Sequence, residues 1–258
     1  MSADFYIPNR LFLAARGAQP GEWLPLGCLA HDDECYYFTM TQAAQENSDD
    51  WKASLFGIPK DPDWHFSHVP PPFHMRVWNR GRKDRPTYLR WLGLSEEEAN
   101  EPMVEMAHSF GRKVLDEYET FAEPKEQNGH YDFCFPLQDT TKLIWGDNCK
   151  APANWRELYN TITAAIRDMP EGEEFLLEKD GDKKVALLTP DGEKVGFCPR
   201  AYAPEIQTLM DNGESNLKVI MERVNDASPD MMAICRLTCR APKGFAGFCQ
   251  SEEYKLVR

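Results

Sequence analysis

Apolar and polar positions change period several times along the chain, and each change marks an element. Arg10–Arg16, residues 22–29 and residues 35–40 are short runs of aromatic, β-branched and other apolar residues. They are separated by the turn-rich Gly17-Ala-Gln-Pro-Gly and by Asp32-Asp-Glu. Such runs predict strands, and their spacing predicts an antiparallel meander. The Pro- and aromatic-rich stretch from Pro59 to Pro72 reads as an ordered loop over a core. Residues 84–94 predict a helix ending near Gly93. Ser95 and Glu98 then form a capping box, opening a helix that turns Met103, Met106, Ala107 and Phe110 toward a core.

Residues 123–130 are polar, with Pro and Gly, and mark the boundary between two regions. Beyond them lies the apolar run Phe133–Leu137. Asn154 is placed to cap an amphipathic helix in which Trp155, Leu158, Ile162, Ala165 and Ile166 share a face. Residues 174–178, 184–188 and 194–198 read as strands. Asp180-Gly181 and Pro190-Asp-Gly192 between them are hairpin signals. A short helix over 202–212 and two strands, 217–224 and 232–239, complete the set. The expected class is α+β: a β-rich first domain with helices over 1–122, a linker over 123–130, and a small barrel with inserted helices over 131–258.

Composition narrows the functional classes. The 258 residues are 42% hydrophobic, enough to build cores, and none of the runs approaches the roughly 18 apolar residues of a membrane helix. The opening residues lack a basic leader and a small-residue cleavage site, which points to the cytoplasm and away from a membrane. The net charge is −13, so any nucleic-acid contact has to use a local basic surface. Eight cysteines, none in a C-x-x-C pair, read as buried reduced thiols. His65-x-x-His68 with His74 is the one metal-like spacing. The intervening Pro70-Pro-Pro run breaks the helical face a ligand pair would use, so packing is the expected role. No catalytic or cofactor motif is present, whether G-x-S-x-G, a Walker loop, H-R-D or D-F-G, so a hydrolase is retained only as the rival enzymatic class.

The segment Lys194-Val-Gly-Phe-Cys-Pro-Arg, followed by a short helix ending at Gly213, resembles the signature of the HIRAN domain. The resemblance covers roughly residues 131–240. The first region is similar to the companion segment of bacterial HIRAN-containing proteins and to the small N-terminal part of HipA-type kinases. Its matching residues include 11–14, 23–29, 36–38 and 85–94, without the catalytic portion of such kinases. HIRAN domains resemble OB-type barrels, and some hold the 3′ end of single-stranded DNA. The resemblance implies that Asp182 matches the family's acidic residue, although the accompanying Asn and aromatic are missing.

Read from the residues themselves, Phe197, Arg200, Tyr202, Lys183 and Lys184 are candidate contacts: aromatics stack on bases and cations hold phosphate. Phe197 reads equally as core, and the two lysines as edge charges that discourage strand pairing. Residues 130–258 carry 16 Lys/Arg against 21 Asp/Glu. The most basic stretch lies elsewhere, at 76–91, with six Lys/Arg and one Asp. There Arg76, Arg80, Arg82, Lys83 and Arg85 interleave with Trp78, Tyr88 and Trp91, a pattern common to single-strand binders and also compatible with an ordinary core. The expected function is a non-enzymatic DNA-binding module for single strands or ends, in DNA repair or defence. The alternative is a regulatory protein docking on a kinase, nuclease or helicase.

Overall fold

The alternating runs near the start of the chain form β1 (Arg10–Arg16), β2 (Trp23–His31) and β3 (Tyr36–Met40), a meander as their pattern predicts. The computed structural model describes residues 8, 10–16, 23–32, 34–46, 63–111, 118–146 and 151–257. Antiparallel sheets and helices together make the protein α+β. It divides into two units, Met1–Glu123 with Cys249–Arg258, and Pro124–Phe248.

In the first unit two further strands extend the meander. β4 (Asp63–Phe66) pairs with β3, and β5 (Tyr118–Ala122) pairs with β1, giving the order β4-β3-β2-β1-β5. Side chains of β1 alternate faces, and both faces are buried. Leu11 and Leu13 join Phe73, Met103 and Met106 in one cluster, while Phe12 packs on Phe121 and Tyr254. Neither outer strand stands out in the sequence. β4 and α2 (Pro71–His74) lie in the stretch read as a loop. β5 buries Glu119 and Thr120, and Glu119 accepts from Trp23 Nε1 at 2.5 Å, so polar side chains mask its burial pattern.

α1 (Gln42–Glu46) follows β3, and α3 (Arg85–Leu92) ends on Gly93 in the left-handed conformation. The capping box exists, with Ser95 N donating to Glu98 Oε2 at 2.6 Å and Glu98 N to Ser95 Oγ at 3.2 Å. It closes only a single turn of 3₁₀ helix, Glu98–Asn100. The α-helix proper, α4 (Pro102–Ser109), starts later: Glu101 caps it and Pro102 suits its first turn. The last residues, Cys249–Arg258, expected in the second region, belong to this unit. Leu256 bridges Thr41, Val257 N donates to Met40 O at 2.9 Å, and Tyr254 packs on Phe12 and Trp23.

The second unit opens on a tight turn between Gln127 and His130, then β6 (His130–Pro136). α5 (Thr140–Trp145) and α6 (Trp155–Asp168) are inserted before the hairpins β7 (Leu176–Lys179), β8 (Val185–Leu188) and β9 (Lys194–Phe197). α6 buries Ile162 and Ile166 as its periodicity predicts, but Asn154 makes no side-chain capping bond. α7 (Ala203–Met210), β10 (Lys218–Val224) and β11 (Ala233–Arg240) complete the unit.

The strands form two three-stranded sheets, β10-β11-β6 and β7-β8-β9. Single bridges link them, Gln138 with Phe197 and Glu174 with Ile220. No closed barrel of continuous ladders is present among the described residues. The physical reason lies just after β6. Pro136 offers no N–H, and only Gln138 exchanges bonds with Phe197 before Asp139, at φ 56°, turns the chain into α5. Gly196 permits this junction, because a Cβ there would stand 2.6 Å from Leu137 Cγ.

Candidate nucleic-acid interface

The basic stretch divides into an inner and an outer set. Arg76 and Arg85 point inward. Arg76 Nη1 donates to the carbonyls of Gly111 at 2.7 Å and Tyr118 at 3.2 Å, with its guanidinium over the Tyr118 ring. Arg85, 2% exposed, donates through Nη1 to Glu105 Oε2 at 2.8 Å and to Trp78 O at 2.7 Å. Glu105 Oε1 accepts Trp78 N at 2.6 Å, so one buried ion pair clasps both ends of the turn 78–85. Burial pushes the Glu105 carboxyl up, while the Trp78 N–H and Arg85 pull against that rise. Arg76 and Arg85 are therefore structural, correcting their expected place among the phosphate contacts.

Arg80, Arg82 and Lys83 stand exposed on the clasped turn. Arg80 Nη2 donates to Asn100 O at 3.2 Å. Arg82 binds Asp84 through two hydrogen bonds of 2.9 and 2.7 Å, and its guanidinium carbon lies 4.3 Å from the Trp78 ring centroid. Trp78 stacks on Tyr88, with centroids 4.1 Å apart and planes 5° from parallel. The result is a three-layer stack, Tyr88–Trp78–Arg82. Trp78 is thus held by its neighbours, and Arg82 forms the outermost layer.

Beside this turn, at the ends of β2, β3 and β4, is a cleft of about 850 Å³. The register sets its floor by pairing His31 with Tyr36 and Tyr36 with Phe66, so the three strands finish together. His31, His68, His74 and Arg80 line it with Glu34, and Trp78, Val69, Val77 and Met75 supply apolar wall. His31 stacks on Tyr36 with ring centroids 4.1 Å apart. The Tyr36 hydroxyl donates to Glu101 Oε1 at 3.3 Å, and burial together with that carboxylate pushes it up to about 12. Of the spaced histidines, His68 and His74 meet at this cleft with His31, whereas His65 lies edge-on to Tyr37. No three or more His, Cys, Asp or Glu among the described residues are placed to hold a metal ion. The cleft was hidden from sequence reasoning because His31 and Glu34 lie some 40 residues from the basic stretch and only strand register brings them to it.

In the second unit the aromatic candidates are internal. Tyr202 is buried, edge-on to Phe133 and Phe248. Phe197 is 7% exposed, its ring covered by the amines of Lys184 and Lys194 at 5.3 and 5.7 Å. Both correct the expectation of stacking platforms. Arg200 is half-buried in a single 3₁₀ turn, Arg200–Tyr202. Asp182 and Lys183 are exposed at the β7–β8 hairpin, and the Lys184 carbonyl accepts from Gln207 Nε2 at 2.9 Å. The surrounding cations are matched by the unit's own carboxylates: Lys179 by Asp211, Lys194 by Asp180, Lys218 by Glu174 and Arg236 by Asp132.

Seven cysteines fall within the described residues, none of them in a disulfide. Cys28, Cys198, Cys235, Cys239 and Cys249 are buried, Cys35 is half-buried and Cys134 is exposed, while Cys149 lies outside the described residues. Burial pushes Cys28 and Cys239 up to about 11 and raises Cys198 and Cys235 further. Among the described residues no helix is long and apolar enough to cross a membrane. A scan against protein-family models found no match, and searches of curated proteins and of solved structures found no significant one.

Proposed function

We propose that this protein is a non-enzymatic nucleic-acid-binding module, favouring single-stranded DNA or DNA ends, and that the turn 79–84 of the first unit is its contact surface. One observation carries the reading: Arg82 caps the Trp78–Tyr88 stack with Arg80 and Lys83 exposed on the same turn. A planar cation at the end of an aromatic stack accepts an unpaired base on its outer face, and the flanking cations follow the phosphate chain. Asp84 orients Arg82, but both side chains are open to solvent, which screens the pair, so exchange of that carboxylate for a phosphate costs little. The second unit is read as a HIRAN-like module, a reading supported by its two three-stranded sheets and the single bridges that join them at Gln138 and Glu174. DNA repair or defence in the cytoplasm is the setting this reading favours.

Fluorescence anisotropy with labelled single strands, duplexes and 3′-blocked strands tests the proposal. Single strands are expected to bind more tightly than duplexes at low salt, and the combined Arg80→Ser, Arg82→Ser and Lys83→Ser variant is expected to bind them more weakly. Failure of every strand to bind at low salt rejects the reading.

A second reading is supported by the second unit. Its self-paired cations leave a net acidic surface, and edge strand β7 exposes Leu176 by 51%. Those features suit a protein partner such as a kinase, nuclease or helicase. A stoichiometric partner that survives nuclease treatment in a pull-down and is lost with Leu176→Asp supports it. Unchanged capture by Leu176→Asp contradicts it.

A further inference from the structure

The cleft beside the cationic turn has a composition that the turn alone does not explain. Its volume, about 850 Å³, falls within the range of roughly 300–1,000 Å³ typical of small-molecule sites, which pair apolar walls with a few polar groups. Three imidazoles and one guanidinium face a single carboxylate, Glu34. Each imidazole offers an N–H in either tautomer, and the Arg80 fork has donors beyond the one given to Asn100 O. Met75, 47% exposed, leaves an apolar lip uncovered at the same cleft. Donors in excess of carboxylate acceptors beside an apolar wall match a heterocycle that carries a phosphate.

We infer that this cleft holds the phosphorylated terminal nucleotide of the strand that the turn 79–84 binds; the assignment rests on the nucleic-acid reading above. An internal phosphodiester carries one charge and two unlinked oxygens, whereas a terminal monoester carries three unlinked oxygens and up to two charges. A pocket that brings three imidazoles and a guanidinium to donate N–H bonds therefore discriminates an end from the middle of a strand. The base lies against the apolar wall formed by Val69, Val77 and Met75, and Glu34 accepts from a base amine or a sugar hydroxyl. The Asp32 turn sets Glu34 in place, because Asp32 Oδ1 accepts Glu34 N at 2.9 Å and Cys35 N at 2.8 Å.

The full chain is titrated with internally labelled oligothymidylates bearing a 5′-phosphate, a 3′-phosphate or hydroxyls at both ends, and with free dTMP as competitor. One phosphorylated end is expected to bind roughly tenfold or more tightly than the hydroxyl-ended strand, the scale of one charge-assisted hydrogen bond. His68→Ala combined with His74→Ala, both at exposed positions, is expected to abolish that preference while hydroxyl-ended strands bind as before. Equal binding of phosphate- and hydroxyl-ended strands overturns the inference and leaves the turn as a strand-binding surface. A preference that survives the histidine changes overturns it, as does tighter binding of dTMP than of either phosphorylated strand. Absence of any strand binding overturns both readings.

Discussion

Arg85 Nη1 lies 2.8 Å from Glu105 Oε2, with both side chains almost fully withdrawn from water, at 2% and 0% exposure. The pair belongs to a clasp, since Arg85 also binds the Trp78 carbonyl and Glu105 the Trp78 N–H. It fixes the ends of the turn that presents Arg80, Arg82 and Lys83.

Removal of one member leaves the other charge buried. Arg85→Ala is expected to cost about 3–5 kcal/mol in urea denaturation. A loss comparable to that of an ordinary surface substitution contradicts the structural role given to Arg85.

Gly196 is required by contact distance, since a Cβ would stand 2.6 Å from Leu137 Cγ and 2.9 Å from the Gln138 carbonyl oxygen. Gly196→Val is expected to destabilise the second unit by about 1–3 kcal/mol or more, through overpacking and loss of the Gln138–Phe197 junction. Thermal denaturation measures it. Trimming Leu137 to Ala in the same chain recovers part of the loss only if the clash is the cause.

Asp32 accepts from the Tyr37 hydroxyl and from the N–H groups of Cys35 and Glu34, which hold its carboxyl down at about 2 against an ordinary 3.8. Its folded value is depressed, so its contribution to stability is present above the ordinary value and is lost as pH falls toward about 2. Between pH 5 and pH 2.5 the wild type is expected to lose more melting temperature than Asp32→Asn. Parallel losses in the two proteins contradict the assignment.

The buried thiols predict chemical inertness. Cys198 and Cys235 are expected to resist alkylation at pH 8 in the native protein and to react on addition of denaturant, as mass spectrometry of the labelled peptides reports. Rapid native labelling of Cys235 contradicts its packing against the core.

How far the sequence was legible depended on whether a signal was local. The meander, α3 with Gly93 at its end, the β7–β8–β9 hairpins and the periodicity of α6 are nearest-neighbour patterns and emerge as read. β5 did not, because its buried Glu119 is satisfied by Trp23, 96 residues away. The same limit applies to the site. Arg76 and Arg85 look like Arg80 and Arg82 in sequence, and only the positions of Gly111 and Glu105 separate internal guanidiniums from exposed ones. Tyr202 and Phe197 fail as platforms for different reasons: Phe133 and Phe248, distant in sequence, pack on the Tyr202 ring, while Lys184 and Lys194 of the adjoining hairpin cover that of Phe197. The reverse error concerns the cleft, whose histidines meet through strand register that no spacing rule encodes.

The salt dependence of single-strand binding shows whether the turn 79–84 holds the phosphate chain. Each phosphate neutralised on a single strand contributes about −0.7 to the slope of log K against log salt. The wild type is expected to show a steep slope that flattens by about 2 when Arg80, Arg82 and Lys83 are all replaced by Ser, and that stays unchanged when Lys183 and Lys184 are replaced. An unaltered slope in the triple variant, or a flattening only with Lys183 and Lys184, contradicts the account.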